Sequence, residues 1–178
     1  MYAAVQWAAR KHARQRRDAD QAPFILHPLE VASLLSSRGY DEDVIVAGVL
    51  HDTLEKTSAT AAELRKHFGA RVAAIVLAVS EDDTITDFAE RKAALREQVR
   101  RAGPEALAVY AADKLAKARE LRGQAALAHV RLDDPMFARR LEHYEQSLQM
   151  LREADRESPF VAQLAFELWA LRALPPED

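Results

Sequence analysis

Residues 44–57, VIVAGVLHDTLEKT, set seven apolar or small residues in a row and follow them with His51 and Asp52. A run that is apolar on nearly every side suits a helix in the middle of a fold. Asp41 stands just ahead of the run as its N-cap. His51 and Asp52 follow the most apolar helix of the chain, where two polar side chains are costly to bury without partners. Neutral imidazole and carboxylate suit Mn, Fe, Co, Zn or Mg, and neighbouring residues can both reach one ion where a helix ends.

Upstream, PFILHP (residues 23–28) leads into a helix whose buried face is Leu29, Val31, Ala32, Leu34 and Leu35, ending at Gly39. Pro28 fits its first turn, where a missing N–H costs nothing. The residue before a proline favours extended backbone, so His27 is expected at the helix entrance as a candidate third ligand. Ahead of it, Tyr2 to about Arg16 reads as an amphipathic helix.

Downstream, Thr60 with Glu63 matches a capping box, and the short helix it opens stops near Gly69. A buried helix carrying Val72, Ile75, Val76 and Val79 follows, then an acidic loop from Glu81 to Asp87. Asp87 with Glu90 opens a charged helix to Arg101, and Gly103-Pro104 starts the next. Asp134-Pro135 and Ser158-Pro159 open a long helix to about Asp155 and a final one through Trp169. No repeat and no sustained strand alternation interrupts this series. The pattern predicts an all-α bundle of about eight helices.

Apolar residues make up 49% of the chain and aromatic ones only 7%, so the core must be built from closely packed Ala, Leu and Val, which favours helices. At 178 residues, with no compositional break, one domain is expected: residues 1–122 as the core and 123–178 as C-terminal helices completing the bundle. Lys and Arg number 25 against 28 Asp and Glu, which gives no footprint for wrapping duplex nucleic acid. The absence of cysteine excludes a disulfide framework, a thiolate zinc site and a cysteine nucleophile. Met1 to Arg17 lacks the continuous apolar core of a secretory signal, and no run approaches the ~18 apolar residues that span a bilayer. The expected location is cytoplasmic, with no membrane partner.

Asp113 is the candidate fourth ligand, because it interrupts the apolar stretch ALAVYAADKL and must be neutralised there by a cation or by hydrogen bonds. Taken singly, His27 reads equally as a cap or core histidine, and Asp113 as a salt-bridged residue. Spacing alone leaves both readings open.

In chain order, HARQRR, PFILHPLEVASLL, AGVLHDTLEKT, FGARVAAIVLAVSEDDT, ERKA and AADKLAKARELR closely resemble the HD hydrolase domain of the RelA/SpoT alarmone enzymes, and especially the small stand-alone MESH1-like hydrolases. The resemblance runs from about Tyr2 to Arg122, with a weaker continuation to Leu151. It implies a helical bundle holding one Mn2+ through His27, His51, Asp52 and Asp113, and removal of the 3′-pyrophosphate from ppGpp or pppGpp. Four protein ligands on an ion that prefers six leave positions for water, whose pKa the cation lowers.

Two positions depart from the family pattern. The family carries an acidic pair soon after the HD, and Glu55 matches the first acid while Lys56 occupies the second. Where the family usually has Asn, four residues after the last ligand, this chain has Lys117. Lys117 reads as a phosphate or sugar contact or as a solvated helix charge. Arg16 and Arg17 match paired arginines beside the family's nucleotide site, with Asp18 where a further basic residue often stands. Lys114, Arg119 and Arg122 read as ordinary helix surface that as a group offers an anion-attracting mouth.

The leading function is therefore a Mn2+-dependent ppGpp 3′-pyrophosphohydrolase, with Glu55 and Lys56 at the catalytic positions and Arg16, Arg17 and Lys117 toward the substrate. The alternatives are a polyphosphate sensor on the same fold, or a hydrolase of another phosphoester. Leu164, Phe166, Leu168 and Trp169 form core or a patch for a homodimer, with core packing expected.

Overall fold

The computed structural model describes residues 1–126 and 134–173; residues 127–133 and 174–178, which the predicted C-terminal segment includes, lie outside the described residues. The described residues form ten helices: α1 (Tyr2–Lys11), α2 (Leu26–Ser37), α3 (Glu42–Leu50), α4 (Thr53–Lys56), α5 (Ala61–Phe68), α6 (Ala70–Val79), α7 (Phe88–Ala102), α8 (Pro104–Ala126), α9 (Pro135–Ala154) and α10 (Pro159–Ala173). Among them there is no strand beyond one isolated bridge between Arg16 and Pro23. The all-α expectation holds. No described helix is long and apolar enough to cross a membrane.

The caps form where the sequence puts them. Asp41 accepts from the Val44 N–H, Thr60 and Glu63 close a reciprocal capping box, Asp87 accepts from Glu90 and Asp134 from Met136. Ser158 is the exception, since its buried hydroxyl has no partner among the described residues.

Every residue of α3 from Val44 to Leu50 is buried, as a run without a polar face requires. Its close approach to α2 depends on Gly48, where an added Cβ would stand 2.6 Å from Leu35 Cδ1 and 3.4 Å from Val31 Cγ1. α8 lies at the centre of the bundle, packing against α2, α3, α6, α7, α9 and α10. Ala106, Ala108, Ala111, Ala112, Ala116 and Ala118 are all buried along it, and their small side chains let the neighbouring helices come close.

Three expectations need correction. Helix α1 ends at Lys11 instead of near Arg16. The Arg17 N–H bonds the Ala22 carbonyl and the Phe24 N–H bonds the Gln15 carbonyl, so HARQRR becomes one arm of a loop. His27 is helical, not extended: α2 begins one residue before it, and its N–H donates to the Phe24 carbonyl. Burial of its ring outweighs the steric preference that Pro28 imposes, and Pro28 still falls where no helical N–H is needed. On α10, Leu164 and Leu168 are buried as expected, while Phe166 and Trp169 are 58% and 63% exposed. Positions 164, 168 and 171 share the inner face at helical spacing, which turns 166 and 169 outward.

Candidate metal centre and its cavity

Four helices bring four polar side chains to one point. His27 comes from the first turn of α2, His51 caps the end of α3, Asp52 starts α4 and Asp113 comes from the middle of α8. None is more than 5% exposed. His27 Nε2 is 3.3 Å from His51 Nε2 and 3.0 Å from Asp113 Oδ1, and His51 Nε2 is 3.4 Å from the same oxygen. Asp52 Oδ2 lies 3.3 Å from His51 Nε2 and 3.6 Å from His27 Nε2.

The orientation of His51 follows from a single bond. Its Nδ1 is 2.8 Å from the Gly48 carbonyl, and because a carbonyl can only accept, Nδ1 donates and Nε2 is turned toward the cluster. Burial works against charge on both rings. It pulls His27 below its ordinary value, while Asp52 and Asp113 outweigh it at His51 and push that group up to about 10. Burial would raise the two carboxyls, but His51 and Lys117 beside Asp52, and Lys114 and Lys117 beside Asp113, hold both well below the usual carboxylate range.

This donor set fits a divalent cation. His27, His51 and Asp113 present ligand atoms that all lie within 4.8 Å of one another. Asp52 Oδ2 is fully buried and accepts no hydrogen bond from the described residues. A buried carboxylate oxygen without a donor is costly, and a cation among two imidazoles and two carboxylates removes that cost.

Beside the cluster opens a cavity of about 570 Å³. Arg16, Arg17, Lys56, Lys92, Lys114, Lys117 and Arg140 line it, with Asp18 and Glu120 as the opposing carboxylates. A chain of net charge −3 thus concentrates positive charge at one place. The arginines expected at the substrate site both reach the cavity. Arg17 is held by a paired contact from its guanidinium to Asp20. Lys56 Nζ stands 5.4 Å from the centre of the Phe24 ring, and its carbonyl accepts from the Gln15 side chain. Lys117 is not a solvated helix charge, because its Nζ is 2.9 Å from Asp113 Oδ1.

Glu55 accepts from the Glu81 N–H at 2.8 Å. It is exposed to solvent, yet its carboxyl is crowded enough that lost hydration, and then the Asp52 charge, raise it above the usual range.

Lys114, expected on the surface, is buried, with its Nζ 2.8 Å from Asp113 Oδ2. Arg119 and Arg122 do not line the cavity; they bind the buried Glu167 at 3.3 and 2.5 Å and tie α8 to α10.

Sequence reasoning also missed one wall. Phe88 and Lys92 from α7 and Arg140, His143 and Tyr144 from α9 line the cavity beyond the residues the sequence reading singled out. Only the spacing of 140, 143 and 144 along one helical face hinted at it. Lys92 is anchored by Glu81, which also binds Arg91. His143 Nδ1 accepts from Arg96 at 3.1 Å, so Nε2 carries the hydrogen, and that buried N–H has no partner among the described residues. Burial, reinforced by Lys114, Lys92 and Arg96, lowers His143 to about 2, so it is neutral at ordinary pH.

A family model described as an HD domain matches residues 4–138. The guanosine-3′,5′-bis(diphosphate) 3′-pyrophosphohydrolase MESH1 of Homo sapiens is 42% identical over 121 residues, covering 66% of this chain and 67% of that protein. The guanosine-3′,5′-bis(diphosphate) 3′-pyrophosphohydrolase of Aquifex aeolicus is 44% identical over 78 residues, which cover 44% of this chain and 11% of that one. A solved structure described as a metazoan ortholog of SpoT that hydrolyzes ppGpp and plays a role in starvation responses superposes with a TM-score of 0.82 at 27% identity, covering 98% of this chain and 96% of that one.

Proposed function

The chain belongs to the HD-domain family, and we propose that it is a cytoplasmic, Mn2+-dependent guanosine-3′,5′-bis(diphosphate) 3′-pyrophosphohydrolase that converts ppGpp to GDP and pyrophosphate. The observation that carries this reading is the buried quartet His27, His51, Asp52 and Asp113, with an Asp52 Oδ2 that accepts no hydrogen bond from the described residues, beside a cavity lined by seven cationic side chains. Identity of 42% to a pyrophosphohydrolase of that substrate supports it.

His27, His51, Asp52 and Asp113 would hold the metal. When bound, the cation lowers the pKa of an attacking water and polarises a phosphate oxygen. Release of intact pyrophosphate requires water oxygen to bond to the phosphorus next to the 3′ oxygen, while that phosphorus–oxygen bond breaks and the 3′ oxygen gains a proton. Glu55, with its raised carboxyl, accepts the proton from water and is suited to return one. Arg16, Arg17, Lys56, Lys117 and Arg140 neutralise the substrate's diphosphates and orient them against the quartet. Lys56 contributes charge where the family's second acid would contribute base strength.

The test is pyrophosphate release from ppGpp with added Mn2+. The wild type turns over, Asp52→Ala loses at least about 10³-fold in rate, and Lys56→Asp alters kcat more than the Mn2+ requirement. A silent wild type with an active Lys56→Asp variant would instead establish a polyphosphate-binding protein on the same scaffold.

A further inference from the structure

Asp113 carries two ammonium groups that differ in their freedom to move. Lys114 binds Oδ2 at 2.8 Å, is buried where it borders the cavity, and packs its Nζ 4.5 Å from the centre of the Tyr110 ring, which holds it in place. Lys117 binds Oδ1 at 2.9 Å, its side chain is 31% exposed, and the cavity lies beside it. Oδ1 is also the oxygen 3.0 Å from His27 Nε2 and 3.4 Å from His51 Nε2, so it is the atom that Asp113 offers to the metal centre.

An oxygen bonded to a divalent cation has given up electron density that an ammonium would share, and it puts two like charges within a few ångströms in a poorly screened site. Lys114, on the other oxygen, can stay. Lys117 has a flexible four-carbon stem and can leave without any movement of α8.

We propose that Lys117 is a built-in competitor for the metal at Asp113 Oδ1, and that the metal, on binding, turns the Lys117 ammonium into the cavity, where it binds a substrate phosphate. The inference rests on the metal-centre reading above and adds a linkage to it. A phosphate that captures the displaced ammonium favours the metal-bound arrangement, and by reciprocity the metal tightens phosphate binding.

The test is calorimetric titration with Mn2+ alone of the wild type, Lys117→Met, Lys117→Asn and Lys92→Met, with a crystal structure of the Mn2+-loaded wild type. Both Lys117 variants are expected to bind Mn2+ at least tenfold more tightly than the wild type. Lys92→Met removes a cavity cation that does not touch Asp113 and should change affinity less than threefold. In the Mn2+-loaded structure, Lys117 Nζ should lie beyond hydrogen-bond distance of Oδ1.

Equal affinity in the wild type and both Lys117 variants overturns the proposal while leaving the metal centre standing. So does equal tightening in Lys92→Met, or a Lys117 still bonded to Oδ1 in the loaded structure. Failure of all four proteins to bind Mn2+ overturns the metal centre itself, and the proposal with it.

Discussion

Beside the cavity, and reaching it through His27, lies a floor of short side chains, His27, His51, Asp52 and Asp113, each buried and each set at a helix end or on the central helix. The wall is made of long cations, Arg16 and Arg17 from a loop, Lys92 from α7 and Arg140 from α9. A short buried side chain inherits the precision of its helix, so the floor has the rigidity of the core. A long cation with a water-facing end adjusts to its ligand, so the wall acts through charge more than through fixed geometry. Changes at the floor should therefore be read in folding and metal binding, and changes at the wall in substrate affinity.

The strongest way to break this contrast is Asp113→Ala. It strips both ammonium groups of their partner, and Lys114 is almost wholly buried. An uncompensated buried charge should cost about 3–5 kcal/mol in urea unfolding. A loss under about 1 kcal/mol would mean that the floor relaxes as freely as the wall.

Gly48→Ala probes the same rigidity without touching a polar atom. In most helices that change gains about 1 kcal/mol, but here the new Cβ meets Leu35 Cδ1 at 2.6 Å. A net loss of about 1–3 kcal/mol is expected, together with weaker Mn2+ binding because α2 carries His27.

His143 sharpens the comparison, since it is a wall residue buried as deeply as the floor. Its folded pKa of about 2 lies below the ordinary 6.5. Below pH 6.5 the unfolded chain therefore binds a proton that the folded one does not. The His143 contribution to stability is full above that pH and falls as the solution is acidified, by up to about 1.4 kcal/mol per pH unit. Burial lowers His27 in the same direction. Unfolding at pH 7.5 and pH 5 should show a smaller difference for His143→Gln than for the wild type.

Arg140→Ala should raise KM for ppGpp about tenfold and leave kcat within about threefold, the pattern of a charge that binds ground state and transition state alike. A selective fall in kcat would move Arg140 from the wall's role to the floor's. Phe166→Ser, on the outer face of α10, serves as the baseline and should shift stability by less than about 0.5 kcal/mol.

The floor was partly legible in the sequence, because Asp113 interrupts an apolar run and His51 and Asp52 end one, where a polar group must be explained, while the family resemblance joins His27 to the set. The wall was not. Lys114, Arg119 and Arg122 look alike on a charged helix, yet one is buried on Asp113 while the other two bind Glu167. Phe166 and Leu164 look alike on an apolar helix, yet one is exposed and the other buried.

By itself, then, the sequence determined the all-α class, most helix starts and the polar residues that must meet a partner, because capping, periodicity and the cost of burying charge act over a few residues. Only the tertiary structure decided that His27 is helical, that HARQRR is a loop, that α7 and α9 close the cavity, and that Lys117 shares its oxygen with the metal centre. Those outcomes depend on which faces meet across the bundle, and the partner that settles each stands far along the chain or on a neighbouring helix, outside any local pattern.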